Sequence, residues 1–246
     1  MSGSDIILEG KHLGRCYMEK DKKVQALKDV SFELHEGEIL GIVGESGSGK
    51  STLLKHVSCL EKADCGSLLY RGEEYSDRNP AYAGKFLQMI FQEALMSFDP
   101  RMKMKKAILE AAGSADETKV MEILEAVGLD KSLLEKRAGA LSGGQCQRMS
   151  IARALCSDVK ILLCDEITSA LDVTTQAQVI ALLTELRKTR GLSIMFVSHD
   201  LALVSMLCDR IMVMKDGECV ECGETKDVLG NPQHEYTKEL LDNLIV

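Results

Sequence analysis

The chain has 246 residues, 45% of them hydrophobic, and a formal net charge of −8. That is enough apolar material for a packed core without disulfides, and the acidic balance argues against a nucleic-acid partner, whose binding proteins carry a basic face. The nine cysteines are odd in number and scattered, no apolar run is long enough to cross a bilayer, and the opening MSGSDIILEG lacks the basic and apolar regions of a signal peptide. The chain therefore reads as one large soluble, cytoplasmic domain, without a disulfide framework.

Taken in order, residues 6–38 contain IILEGKHLGRCYM and ALKDVSFELHEGE. They read as antiparallel strands joined by the charged turn Glu19-Lys20-Asp21-Lys22-Lys23. EILGIV at 38–43 reads as a buried strand. It leads into Gly44-Glu45-Ser46-Gly47-Ser48-Gly49-Lys50-Ser51-Thr52, which satisfies the phosphate-loop pattern GxxxxGK[ST] at every fixed position. The following TLLKHVSCL reads as a helix. Strand, glycine-rich turn and helix N-terminus together make a cradle of backbone N–H groups for phosphate oxygens. In that cradle Lys50 reaches the β- and γ-phosphates and the Ser51 hydroxyl binds Mg²⁺.

The stretch from about 93 to 158 has little strand character and reads as helical. Val120, Ile123, Leu124 and Val127 follow helical spacing, with Gly128 as a stop. The basic residues Arg101, Lys103, Lys105 and Lys106 read as a solvated helix face. VKILLC at 159–164 is an apolar strand ending in Asp165 and Glu166. Behind a phosphate loop, a strand-end Asp holds Mg²⁺ and a following Glu can polarise the attacking water. A helix at 175–190, strands at 192–198 and 210–215, and a hairpin strand after Lys215-Asp216-Gly217 complete an alternating α/β pattern with a mainly parallel sheet. Cys219-Val220-Glu221-Cys222 is a lone CxxC; in a strand it suits neither a redox helix nor a metal knuckle.

Leu141-Ser142-Gly143-Gly144-Gln145, continuing CQRMSIARAL, resembles the signature of ATP-binding-cassette ATPases. Its Ser and Gly backbone precede a helix and form a second anion cradle. The resemblance covers almost the whole chain. It implies an α/β fold with a P-loop NTPase (RecA-like) core, an N-terminal antiparallel β subdomain and an inserted α-helical subdomain. As domains it implies a single ABC ATPase unit, with core and β subdomain at 1–92 and 159–246 and the helical subdomain at 93–158. It implies ATP and Mg²⁺ as ligands. Ser142, Gly143, Gly144 and Gln145 would face the γ-phosphate held by the partner subunit's phosphate loop. Gln92 matches the Q-loop that contacts Mg²⁺ or the attacking water, Ser169-Ala170-Leu171-Asp172 the D-loop at the dimer interface, and His199 the switch histidine. Glu166 is then the catalytic carboxylate, Asp165 and Ser51 are metal ligands, and Tyr17 resembles the aromatic that stacks on adenine. Departures are Ile167, where Pro is usual and would fix the backbone, Cys146 after the signature, and Cys164 before Asp165.

Two segments narrow the branch. MIFQEALMSFDPRM at 89–102 is similar to the Q-loop of oligopeptide, dipeptide and nickel importers, and NPQHEYTKELL at 231–241 to the same group's C-terminal segment, with Glu235 in place of Pro. The chain stops soon after, without the cysteine-bearing extension of many partner subunits, and looks like the shorter subunit of a pair. The resemblance implies a second, identical or homologous ABC ATPase subunit, transmembrane permease subunits, an extracellular binding protein acting indirectly, and a place at the cytoplasmic face of the membrane. The alternative is an ATPase accessory to a non-transport complex such as carbon–phosphorus bond cleavage.

Overall fold

The computed structural model describes residues 5–19, 22–113 and 117–242. Two of the five residues of the first charged turn, Lys20 and Asp21, lie outside them, as do residues 114–116. In chain order, β1 (Ile6–Glu19) and β2 (Lys22–His35) form a long antiparallel pair. β3 (Ile39–Val43) leads to α1 (Lys50–Val57). β4 (Cys65–Tyr70) and β5 (Glu73–Tyr75) extend the first sheet in the order β2-β1-β4-β5. After the short α2 (Pro80–Ala83) comes β6 (Leu87–Ile90), then α3 (Met104–Ala112), α4 (Glu117–Ala126) and α5 (Gly143–Leu155). β7 (Ile161–Asp165), α6 (Val173–Arg190), β8 (Ser193–Val197), α7 (Leu201–Leu207), β9 (Arg210–Lys215) and β10 (Glu218–Glu224) follow. α8 (Thr225–Gly230) and α9 (Glu235–Asp242) complete the described chain.

The second sheet has six strands in the order β10-β9-β3-β8-β7-β6. All its pairings are parallel except the β9–β10 hairpin. Every residue of β3, β7 and β8 is buried, which is why these segments read as continuous apolar runs. The two-residue period of a strand divides them between two cores. Leu40, Ile42, Ile161, Leu163, Met195 and Val197 face α1 and the antiparallel sheet, packing with Leu53, Leu54, Leu8 and Leu34. Ile39, Val43, Leu162, Cys164, Ile194 and Phe196 face the other way, toward Ile123 of α4, Ile151 of α5 and Leu183 of α6. Between residues 93 and 158 the described backbone is helical or irregular, with one isolated bridge, Lys103 to Arg137.

The α/β fold with an antiparallel β layer is as expected from the sequence. The predicted strand at 159–164 runs instead over Ile161–Asp165, so Asp165 is its last residue. β4, β5 and the short edge strand β6 were not predicted.

Candidate active site

β6, β7, β8 and β3 are parallel neighbours, so their C-terminal ends lie along one edge of the sheet, where open α/β sheets bind ligands. Each delivers one part of the site: Gln92 after β6, Asp165 and Glu166 at the end of β7, His199 after β8, and the phosphate loop after β3.

The loop Gly44–Gly49 turns from β3 into α1 at Lys50. Gly44 has φ +148, and a Cβ there would lie 2.1 Å from the Met214 carbonyl oxygen. The obstacle is backbone and cannot yield, so only glycine fits. Lys50 is 5% exposed, and its Nζ donates to the carbonyls of Gly44 at 2.8 Å and Glu45 at 2.7 Å. Burial pulls the Lys50 pKa down, against the opposing fields of Glu166, Asp165 and Glu45. Glu45, Ser46 and Gly47 are exposed at the rim, Ser48 is buried, and Gly49, Ser51 and Thr52 are half-buried.

Ser51 Oγ donates to Asp165 Oδ1 at 2.9 Å. Burial raises the Asp165 pKa, and the Ser51 hydrogen bond offsets part of that rise. Glu166 sits at φ +47, a left-handed conformation that strains a non-glycine residue and concentrates at functional sites. Its N–H donates to the Val197 carbonyl at the end of β8. The next two residues, Ile167 and Thr168, are 1% and 2% exposed. Where a proline would have fixed this turn, burial of Ile167 in the core anchors it. Gln92 Nε2 donates to Glu166 Oε2 at 3.1 Å and to Ser169 Oγ at 3.3 Å. His199 Nδ1 lies 3.6 Å from the same Glu166 oxygen. Gln92, Asp165, Glu166, His199, Lys50 and Ser51 are thus gathered at one edge.

A second group forms apart from it. Ser142 caps α5 in a reciprocal capping box: its Oγ accepts from Gln145 N, and Gln145 Oε1 accepts from Ser142 N. This leaves the first turn of α5 pointing its remaining N–H groups outward. Asp172 caps α6 and accepts the Thr175 hydroxyl at 2.7 Å. A Cβ on Gly144 would meet Thr175 Cγ2 at 2.5 Å, so the two caps pack against each other, and Gly143 lies beside Leu171. Among the described residues, no hydrogen bond joins Ser142–Gln145 to the phosphate loop. Tyr17 is half-buried. Its hydroxyl donates to the Glu61 carboxylate, and the Arg15 guanidinium lies 4.8 Å from its ring centroid.

Ser169, Thr175 and Tyr236 are contacts the site reading from sequence did not assign. Ser169 stood inside a quoted motif and Tyr236 inside the C-terminal segment, but neither motif said what its side chain touches.

The ABC transporter family model matches residues 27–169. The chain is 40% identical to the oligopeptide transport ATP-binding protein OppF of Haemophilus influenzae, over 98% of this chain and 78% of that one. It is 40% identical to the dipeptide transport ATP-binding protein DppF of the same organism, over 90% of this chain and 71% of the other. The ATP-binding cassette MJ0796, solved as a dimer in a post-hydrolysis state bound to ADP and Pi, superposes with a TM-score of 0.80 at 28% identity, over 89% of this chain and 98% of that one. The structure of cbiO1 of Clostridium perfringens, part of the ABC transporter complex cbiONQ, gives 0.81 at 28% identity, over 92% of each. The motifs, the fold and these likenesses converge: the chain belongs to the ABC transporter family and is an ATP-binding ATPase subunit.

Proposed function

We propose that this chain hydrolyses Mg²⁺–ATP at the sheet edge and that two such sites work between two subunits. The observation that carries this is the convergence of Gln92 and His199 on one carboxylate oxygen of Glu166, beside the buried Lys50 and Asp165. Lys50 and those phosphate-loop N–H groups that are not already bonded within the protein hold the phosphates. The Ser51 hydroxyl and Asp165 carboxylate are hard oxygen donors already 2.9 Å apart, a pair suited to Mg²⁺, with Gln92 as a third oxygen ligand. Bound there, Mg²⁺ supplies charge stabilisation on the phosphate oxygens. Glu166 accepts a proton from the attacking water. Gln92 and His199 hold the carboxylate that does so, and His199 also bonds the γ-phosphate. Tyr17 stacks on the adenine ring.

The outward N–H groups of Gly143 and Gly144, beside the Ser142 and Gln145 side chains, form the second cradle. As the dimeric cassette MJ0796 supports, the γ-phosphate reaches this cradle from the phosphate loop of a second subunit, packed head to tail; Asp172 lies at that junction. The segment 93–158, carrying this cradle on α5, acts as the helical subdomain and moves with the Gln92 loop.

The cargo reading follows the relatives, which are oligopeptide and dipeptide transport ATP-binding proteins. They support a peptide importer over a nickel importer, and no feature of the molecule favours a non-transport complex. No described helix is long and apolar enough to cross a membrane. As the ATPase subunit of an importer of this kind, the chain works on permease subunits at the cytoplasmic face, and the extracellular binding protein acts through them. The test is ATP binding and turnover with Mg²⁺ present or chelated, together with the identity of membrane proteins that co-purify. Turnover independent of Mg²⁺, or co-purification with a soluble lyase complex in place of a permease, overturns the reading.

A further inference from the structure

The C-terminal segment touches the phosphate loop directly. The N–H of Glu45 donates to the Tyr236 hydroxyl at 3.0 Å, across 191 residues of chain. Tyr236 is 4% exposed. The Gly44–Glu45 peptide is therefore held at both ends: its N–H by Tyr236, and its carbonyl by Lys50 Nζ at 2.8 Å. The next carbonyl, of Glu45, accepts from the same ammonium at 2.7 Å. Gly44 lets this peptide rotate more freely than any other residue would, so its two partners set its orientation.

Tyr236 is itself fixed. Lys215 Nζ lies 4.4 Å from its ring centroid, and its N–H donates to His234 Nδ1 at 3.1 Å. The Glu221 carboxylate accepts from the N–H groups of Gln233 at 2.8 Å and His234 at 3.0 Å. Glu221 lies between the two cysteines of the CxxC, so the residue of that segment with a structural task is its glutamate. From the same hairpin, Gly217 N donates to the Ser48 carbonyl at 3.1 Å. The C-terminal quarter of the chain thus grips the phosphate loop at two points.

We propose that Tyr236 is a positioning residue for ATP: its hydroxyl fixes the Gly44–Glu45 peptide and, through it, the seat of Lys50. This rests on the ATP-site reading above. Without the hydroxyl, the Glu45 N–H loses its acceptor within the protein and the peptide is free to turn. ATP must then reorder the loop as it binds. The hydrolytic groups Glu166, Gln92 and His199 make no contact with Tyr236, so turnover once ATP is bound is preserved.

The experiment compares wild type with Tyr236→Phe in the full-length chain. The substitution keeps the ring and its contact with Lys215 and removes only the oxygen. Loss of one neutral hydrogen bond predicts a Kd and KM for ATP raised about threefold to tenfold, with kcat changed by less than about twofold. Amide exchange at Glu45 should quicken at least about tenfold in the nucleotide-free variant. Unchanged affinity and unchanged Glu45 exchange overturn the proposal, as does a loss confined to kcat. If Tyr236→Phe does not fold, wild type alone decides: Glu45 must be protected without nucleotide, and exchange at the rate of an open loop overturns the role. A wild-type chain that binds no ATP overturns the ATP-site reading instead, and is recognised because it precedes any variant.

Discussion

Glu166 accepts a hydrogen bond from Gln92 at 3.1 Å, although 74 positions separate them in the chain. The sheet order explains the meeting. β6 and β7 are adjacent and parallel, with Ile90 opposite Cys164, so residues one or two beyond each strand end emerge side by side. The bond ties the carboxylate assigned to water activation to the loop that begins the helical segment. A shift of that segment is then felt at the carboxylate.

Asp165 is held where its charge is costly, and its burial should appear in the pH dependence of stability. Burial raises its folded-state pKa, offset in part by Ser51. The folded chain then binds that proton more tightly than the unfolded chain. Stability from this group is greatest at low pH and is lost as pH rises from the unfolded to the folded pKa. Asp165→Asn, melted without nucleotide or metal, should gain about 2–4 °C at pH 7. The gain should shrink as pH falls through the carboxylate range, and the variant should lose Mg²⁺-dependent turnover. A variant less stable than wild type at pH 7 contradicts the argument.

The contact between the two helix caps can be tested by exchange of volume. Gly144→Ala places a methyl 2.5 Å from Thr175 Cγ2, and Thr175 is held in place by its bond to Asp172. The variant should lose about 1–3 kcal/mol in denaturant unfolding, the usual cost of overpacking. Thr175→Ser removes the offending methyl and keeps the hydroxyl, so the double variant should recover most of that loss. Additive losses would mean that the two sites are not in contact.

Ser142→Arg tests the sharing of sites. Its long cation occupies the outward cradle at the start of α5 while leaving Lys50 and the phosphate loop of the same chain untouched. ATP affinity should stay within about twofold of wild type, while turnover falls about a hundredfold in the presence of the partner subunit. Wild-type turnover in that mixture would rule out a shared site.

How much of this was legible in the sequence followed from how local each feature is. The phosphate loop could be read because strand, glycines and lysine lie within a few residues and each answers to phosphate chemistry. β3 and β8 could be read because burial on both faces leaves an unbroken apolar run. β6 could not, since four residues at a sheet edge carry no period, and β5 has only three residues. The Tyr17 hydroxyl's bond to Glu61, 44 positions away, comes from a long-range placement that no spacing reports, whereas Arg15 over its ring is an i, i+2 neighbour on the same strand. The Tyr236–Glu45 bond, spanning almost the whole chain, depends on how the C-terminal hairpin docks. Glu221 was hidden by the cysteines on either side of it, which drew the eye to metal and redox chemistry.

Glu166 is assigned the activation of water for hydrolysis of ATP held by the phosphate loop. Glu166→Gln keeps the shape of the side chain and can still bond Gln92, but cannot take a proton. The decisive measurement is ATP binding and single-turnover hydrolysis by this variant beside wild type. The account predicts binding within about twofold of wild type and hydrolysis slower by about a hundredfold or more, with ATP trapped in a closed dimer. Hydrolysis at a near-normal rate with ATP bound as in wild type would contradict it.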